Sequence, residues 1–276
     1  RPGADQPPGQ SSEPEVMTAM THQPLTTPWL MPFSREQNGR LRLLFFPHAG
    51  GGASSFFQWS RKLPEEVASY AVQLPGRETR LRDTLHHRVD TVVQALVQAL
   101  PPFLDRPFVF WGHSMGAMLG YEVSQRLRQQ GLPLPQRLIV SGLNAPHVPY
   151  ADPHIHHLPE AEFVTALEGL NGTSPTVLQN AELRGLVLPM IRADFQMVET
   201  YTYRETAPLT CPITILDAMD DEKTDEAGLQ EWQKQSTELL ELFTFPGNHF
   251  FLYDLQPTLV STVGNLLRRQ MRHTQR

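Results

Sequence analysis

The sequence predicts an α/β fold in which a mostly parallel sheet carries helices on both faces and an insertion of helices interrupts the alternation. From residue 41 onward, short apolar runs typical of buried strands alternate with segments of helical apolar spacing. Residues 146–207 break this alternation, because they contain two helical patterns and no convincing strand. We therefore predict a core over 39–145 and 208–276 and a helical lid subdomain over 146–207.

The individual elements follow from apolar runs, helical spacing and their terminating residues. Strands are predicted at 41–47, 70–76, 108–111, 137–142, 213–216 and 240–245. Helices are predicted at 89–100, 115–130, 160–170, 181–201 and 256–270. Gly131 suits the C-terminal cap of the second of these helices, and Pro189 predicts a kink or a division in the fourth.

The composition excludes several classes of protein. The 276 residues carry a net charge of −6 without a basic block, which argues against a nucleic-acid partner. One cysteine excludes an internal disulfide framework, and no run approaches 18 apolar residues, so no membrane span is expected. Residues 1–38 are rich in Pro, Gln, Ser and Thr and predict a disordered or extended tail without a signal peptide. We expect a cytoplasmic monomer.

The segment FVFWGHSMGAMLGYEV places a serine where an apolar strand turns directly into a helix. Gly112, Ser114 and Gly116 form a Gly-x-Ser-x-Gly pattern, which is typical of a sharp turn that exposes a nucleophilic serine. The turn also places Ser114 at a helix N-terminus, where developing negative charge is favoured. We predict that Ser114 is a nucleophile.

A serine nucleophile needs a base, and in this architecture an acid and then a histidine follow it along the chain. His249 follows the last predicted strand in a Pro-Gly-Asn turn and is the candidate base. Acidic residues follow the strand at 213–216, and we choose Asp221 as the acid that orients the imidazole, with Asp220 as the alternative.

The other histidines are assigned no role in the reaction. His113 adjoins the serine, and a neighbour at a tight turn usually points away from it. His154, His156 and His157 resemble metal ligands in spacing, but without a matching second cluster we expect them at the surface. No metal and no cofactor are predicted.

Acyl transfer also needs hydrogen-bond donors for the oxyanion. One is the backbone N–H of Met115, the residue after the nucleophile. The glycine-rich loop after the first predicted core strand supplies the other, which we assign to Ala49 with Gly50 as the alternative.

Six segments, FPHAGGGASSF, LPGRETR, FWGHSMGAMLGYEV, SGLNAPH, LPMIRADFQMVETY and FPGNHFFLYD, together resemble the type II (editing) thioesterases of polyketide and nonribosomal peptide synthesis. The resemblance runs from about residue 41 to about residue 256. In that family the acid normally sits in a Gly-Asp-x-Asp-Pro pattern, whose second Asp aligns with Asp221, and Trp232 supports this register. The chain departs from the family at four positions, Ala218, Met219, Glu222 and Asn248.

The resemblance implies an α/β-hydrolase fold with a helical lid and a thioester hydrolase with a Ser-His-Asp triad. The implied substrates are acyl or aminoacyl groups on the phosphopantetheine arm of acyl or peptidyl carrier protein domains, and Ser114, His249, Met115 and Ala49 match the family's site. The residues alone do not separate a thioester from an oxygen ester. A generic serine esterase, an acyltransferase and a catalytically silent carrier-binding module therefore remain alternatives.

We expect the lid to determine which acyl groups are accepted, and its opening would admit the pantetheine arm. Eight apolar lid residues are candidates for lining an acyl channel or for packing the lid onto the core: Phe163, Leu167, Leu170, Leu186, Leu188, Met190, Phe195 and Met197.

Overall fold

The computed structural model describes residues 25–33 and 39–273. Most of the predicted tail over 1–38, namely 1–24 and 34–38, lies outside the described residues. Within 25–33 the chain forms a short strand that pairs with the sheet, an element that the sequence pattern does not predict. This strand is anchored by the Arg80 guanidinium, which stacks 4.2 Å from the centre of the Trp29 ring.

Seven strands form one sheet in the order β1-β3-β2-β4-β5-β6-β7. They are β1 Leu30–Pro32, β2 Leu41–Phe46, β3 Val67–Val72, β4 Phe108–His113, β5 Arg137–Ser141, β6 Ile213–Ala218 and β7 Glu241–Phe245. All neighbouring pairs are parallel except β1 and β3. The predicted mostly parallel sheet is therefore confirmed.

The described helices surround this sheet. The α-helices are α1 Phe57–Ser60, α2 Val89–Ala99, α3 Met115–Gln129, α4 Glu160–Leu170, α5 Pro175–Gln179, α6 Ala181–Glu199, α7 Glu226–Gln230, α8 Phe251–Asp254 and α9 Gln256–His273. Short 3-10 helices cover Ala53–Phe56, Glu78–Arg80, Pro101–Phe103 and Glu231–Gln235. Pro189 does not divide α6, because the buried side chains around it, Leu188 and Met190, hold the helix by tertiary packing.

The two faces of the sheet are buried in separate apolar clusters. Along β2, Leu44 and Phe46 face the cluster that includes α2 and α3, whereas Leu43 and Phe45 face the cluster that includes α1 and α9. A strand that is covered on both sides consists almost entirely of apolar residues, which explains why five of the six residues of Leu-Arg-Leu-Leu-Phe-Phe are apolar. The helices on both faces agree with the predicted fold class.

The order of the strands creates a crevice at the carboxyl ends of β2 and β4. These two strands are neighbours, but the chain leaves β2 toward β3 and leaves β4 toward β5, on the opposite side. The loops that follow them therefore diverge, and ligand sites of parallel sheets form at such a point. Ser114 follows β4 and Ala49 follows β2.

The helices α4, α5 and α6 lie between β5 and β6, within the predicted lid region; α5 has no counterpart in the sequence prediction. We call these three helices the insertion. They bury an apolar cluster of their own, which includes Phe163, Leu178 and Ile191. No helix in the described ranges is long and apolar enough to cross a membrane.

We expect Gly116→Ala to destabilise the protein, because an added Cβ would lie 2.0 Å from the backbone carbonyl oxygen of Phe46. Overpacking typically costs about 1–3 kcal/mol, which corresponds to a fall of roughly 3–10 °C in the melting temperature of a domain this large. Gly185→Ala is the matched control, since a Cβ there meets nothing within 4 Å. Calorimetry is expected to show an unchanged or higher melting temperature for the control, and equal shifts in both variants would contradict the packing argument.

Candidate active site

Ser114 occupies a strained turn between β4 and α3. Its backbone has φ 53° and ψ −120°, a left-handed conformation that is unusual for a residue with a side chain. The turn is held by the Ser114 N–H, which donates to the Ser141 carbonyl at 2.8 Å. Gly112 and Gly116 are required because their backbones pass too close for a Cβ at either position. The turn therefore places Ser114 at the N-terminus of α3 and at the carboxyl edge of the sheet.

His249 and Asp221 form a direct pair. The imidazole Nδ1 lies 2.9 Å from Oδ2 and 3.0 Å from Oδ1 of Asp221, and the Asp221 side chain is fully buried. Because a carboxylate only accepts, Nδ1 carries the proton and Nε2 is left as the basic nitrogen. Asp220, the alternative from the sequence, is exposed. The geometry therefore selects Asp221 as the residue that orients His249.

Ser114, His249 and Ala49 line one cavity of about 760 Å³. Within the described part of the chain, the Ser114 hydroxyl and His249 do not form a hydrogen bond. The segment that follows β5 nevertheless lies close to both residues. The Ser114 N–H donates to the Ser141 carbonyl, and the next residue, Gly142, is so near His249 that an added Cβ would lie 3.0 Å from Cε1. Catalytic hydrogen bonds often form only when substrate is bound, so the shared cavity is the relevant geometry.

The backbone donors of the glycine-rich loop are not equivalent. The Gly50 N–H donates to Asp194 Oδ2 at 2.8 Å. Among the described residues, the N–H groups of Met115 and Ala49 have no protein acceptor. The alternative of Gly50 as oxyanion donor is thus disfavoured, because its proton is already used.

Two further buried histidines, His48 and His113, lie beside His249. His113 Nδ1 lies 2.9 Å from the Ser141 hydroxyl, and its ring centre is 4.8 Å from that of His249. Burial lowers the pKa of His113 well below its usual value. Burial, then the charges of His249 and Arg77, lower the pKa of His48 to about 4. Both imidazoles are therefore uncharged at neutral pH, and within the ranges that the structure describes neither contacts a carboxylate that would orient it as a base.

The eight apolar lid residues have different surroundings. Three line the cavity: Leu167, Leu170 and Phe195. Three others are buried in the cluster of the insertion: Phe163, Leu188 and Met190. Met197 belongs to the main core, and Leu186 is 53% exposed. Five of the eight therefore do not line the cavity.

Glu199 is a partner of the His154–His157 segment that the sequence does not reveal. Ligand atoms of His154, His156 and Glu199 lie within 4.8 Å of one another. The buried Glu199 carboxylate accepts the N–H groups of Ile155 at 2.8 Å and of His156 at 3.1 Å, and it also contacts His156 Nδ1. Since protein donors already use this carboxylate, its evident role is to attach the start of the lid region to α6. His154 and His157 are exposed, as the sequence predicts, whereas His156 is partly buried against Glu199, contrary to the predicted surface position.

Arg77 and Asp194 are residues of the site that sequence reasoning did not identify. They form a buried ion pair, Arg77 Nη2 to Asp194 Oδ1 at 2.7 Å, directly behind the glycine-rich loop. Both lie in segments that carry the family resemblance, LPGRETR and LPMIRADFQMVETY. Their position in these segments was the available signal in the sequence, but it did not show that the two side chains are in contact.

Comparisons with known proteins identify relatives of this chain in sequence and in fold. The family model described as "Thioesterase domain" matches residues 41–267. Gramicidin S biosynthesis protein GrsT of Aneurinibacillus migulanus is 36% identical over 240 residues, 87% of this chain and 94% of that protein. Thioesterase PikA5 of Streptomyces venezuelae is 35% identical over 239 residues, 85% of each chain. The solved structure of RedJ, a thioesterase from the prodiginine biosynthetic pathway in Streptomyces coelicolor, has a TM-score of 0.79 at 34% identity and covers 90% of this chain and 98% of that one.

Asp221→Asn is expected to lower kcat for a p-nitrophenyl acyl ester by about 10⁴-fold, the scale found when a triad aspartate is replaced by asparagine. The amide no longer stabilises the protonated imidazole and no longer fixes its tautomer. Asp220→Asn is the matched control and is expected to stay within about twofold of the wild type, since exposed substitutions away from a site have small effects. Steady-state kinetics would contradict the assignment if Asp220→Asn were the damaging change.

The low pKa of His48 predicts a loss of stability in acid. The unfolded imidazole takes up a proton near pH 6.5 and the folded one only near pH 4, so the free energy of unfolding decreases as the pH falls through this window, by up to about 3 kcal/mol. His48→Gln cannot titrate and is expected to reduce the fall in melting temperature between pH 6.5 and pH 4. His157→Gln, at an exposed position, is the control and is expected to show the same fall in melting temperature as the wild type. If the melting temperature of His48→Gln falls as much as that of the wild type, other groups cause the loss of stability in acid.

Proposed function

The chain belongs to the thioesterase family, and from that premise we propose that it is a type II thioesterase that hydrolyses acyl or aminoacyl thioesters on the phosphopantetheine arm of carrier proteins. The family inferred from the motifs is confirmed, and relatives such as GrsT and PikA5 are named for biosynthetic pathways or as thioesterases. The proposed role is removal of stalled or aberrant groups in polyketide or nonribosomal peptide biosynthesis.

The observation that carries the proposal is that His249, paired with the buried Asp221, lines the same cavity as Ser114. In the proposed acylation step, His249 Nε2 removes the Ser114 proton while Oγ attacks the thioester carbonyl. The buried Asp221 carboxylate stabilises the imidazolium that forms. The N–H groups of Met115 and Ala49 then hold the oxyanion, and both are free of protein acceptors among the described residues.

The second half of the proposed cycle releases the acyl group. The carbon–sulfur bond breaks, and the leaving sulfur takes up the proton that His249 removed from Ser114, which releases the pantetheine thiol and restores the neutral imidazole. Water, deprotonated by His249, attacks the acyl-enzyme and yields the free acid and the regenerated Ser114 hydroxyl. This cycle uses groups of the chain and water alone.

The cavity favours an apolar acyl group at the reacting centre. Its wall includes Leu167, Leu170 and Phe195 from the insertion, and Ser114 and His249 lie at the sheet edge. A volume of about 760 Å³ is within the range of drug-sized ligand sites. An acyl chain would therefore extend from Ser114 along the inner surface of the insertion.

The substrate class is tested by release of one acyl group from three carriers: a loaded carrier protein, coenzyme A and a simple alcohol. We expect the highest kcat/KM with the carrier protein, by at least about tenfold, the equivalent of about 1.4 kcal/mol of protein contacts. Ser114→Ala is expected to lose at least about 10⁴-fold in turnover and to retain carrier binding. Acyl chains of several lengths would measure the selectivity of the cavity.

Each other outcome identifies another activity. Faster cleavage of the alcohol ester without a carrier preference would identify a generic serine esterase, and a product other than the free acid would identify an acyltransferase. Turnover that persists in Ser114→Ala would contradict the nucleophile.

A further inference from the structure

The Arg77–Asp194 ion pair joins the insertion to the core at a buried position. Arg77 follows β3 and Asp194 lies on α6, 117 residues later. Nη1 and Nη2 of Arg77 contact Oδ2 and Oδ1 of Asp194 at 2.8 and 2.7 Å, a bidentate arrangement. The side chains are only 5% and 1% exposed. An ion pair this deeply buried is costly to desolvate, so its presence is weak evidence that it stabilises the fold.

The pair is also bonded to the backbone of the glycine-rich loop. Asp194 Oδ2 accepts the Gly50 N–H at 2.8 Å, and Arg77 Nη1 donates to the Gly51 carbonyl at 2.7 Å. Gln73 adds a third attachment, since its amide donates to the Arg77 carbonyl at 2.9 Å and accepts from the Ala53 N–H at 3.3 Å. The loop is thus held at three positions after Ala49, namely Gly50, Gly51 and Ala53.

These bonds fix the turn that contains Ala49. The Gly51 N–H donates to the His48 carbonyl at 2.9 Å, and Gly50 has φ +77°, which together indicate a type II turn from His48 to Gly51. Turns of types I and II differ by a flip of the central peptide, here Ala49–Gly50. This flip would turn the Ala49 carbonyl toward the Asp194 carboxylate, so the bond from the Gly50 N–H to Asp194 fixes the turn whose first peptide, His48–Ala49, carries the Ala49 N–H. The turn leaves the Ala49 N–H without a protein acceptor among the described residues.

We propose that Asp194, paired with Arg77, is a positioning residue for the oxyanion hole: it holds the turn that presents the Ala49 N–H to the reacting carbonyl. The proposal rests on the proposed function, because it gives the Ala49 N–H its role. Asp194 itself touches the loop and not the substrate. A helix of the insertion thereby sets the geometry of the oxyanion hole in the core.

The test compares Asp194→Asn with the wild type in three measurements. An oxyanion donor is worth about 10²–10³ in kcat, and for a misplaced donor we expect kcat to fall about 10- to 100-fold with KM within about threefold. Affinity for an alkyl boronic acid, which forms a tetrahedral anion on Ser114, is expected to fall by the same factor as kcat. Affinity for a thioether analogue of the substrate, which stays uncharged, is expected to remain within about threefold.

Asp83→Asn is the matched control, because Asp83 also pairs with an arginine, Arg80 Nε at 2.7 Å, but is 47% exposed. It is expected to leave all three measurements unchanged. If Asp194→Asn fails to fold, the double variant Arg77→Met/Asp194→Leu replaces the pair by apolar side chains, a change that often preserves or increases stability. We expect the double variant to melt cooperatively and to show the same losses of kcat and boronate affinity.

Two results would overturn the proposal. One is wild-type kcat and boronate affinity in Asp194→Asn or in the double variant. The other is an equal loss of boronate and thioether affinity, which would indicate general damage to the cavity. The boronate measurement does not depend on the thioester substrate, so a wild type that binds boronate but releases no carrier-bound acyl group would reject the proposed function and leave this proposal intact.

Discussion

The close packing of α3 against the end of β2 is the constraint on which the rest of the site depends. Gly116 lies so near the Phe46 carbonyl that no side chain fits between helix and strand. This contact brings the N-terminus of α3 to the edge of the sheet and forces Ser114 into its left-handed backbone conformation. It also sets the distance between the two loops that follow β2 and β4, and therefore between Ala49 and Met115. The strained backbone of Ser114 and the position of the loop after β2 beside the N-terminus of α3 are thus consequences of one backbone contact.

Two buried carboxylates position the groups on either side of Ser114. Asp221 holds His249, and Asp194 holds the Gly50 N–H together with Arg77. A buried carboxylate is stable only when donors surround it, so each acts as a fixed point for the groups that bond to it. The first fixed point orients the proposed base. The second orients the loop opposite, so that electrostatic interactions within the core determine both sides of the proposed reaction centre.

The sequence predicted those features that are encoded by neighbouring residues. The Ser114 turn lies within one strand–turn–helix segment, and His249 follows a strand directly, so local pattern located both. The sequence preferred Asp221 to Asp220 but did not show the contact with His249, which depends on the course of a loop. The sequence likewise preferred Ala49 to Gly50, but the bond that disfavours Gly50 comes from Asp194, a residue more than a hundred positions away. The strand β1 was not predicted because it is three residues long and ends in proline, and its pairing depends on an edge that only the folded sheet creates.

The buried attachments of α6 divide the insertion into two parts with different freedom. α6 is bonded to the core through Asp194 and to the start of the lid region through Glu199. Moving it would separate a buried ion pair and leave two charges without partners, a large energetic cost. The helices α4 and α5 instead pack on α6 through apolar side chains such as Phe163 and Leu178 and through Arg184. Arg184 pairs with Glu160 at 3.2 Å, but these two side chains are 29% and 66% exposed, so separating them costs much less than separating a buried pair. In the proposed function, entry of a pantetheine arm is therefore expected to displace α4 and α5, while α6 stays in place and preserves the oxyanion hole during turnover.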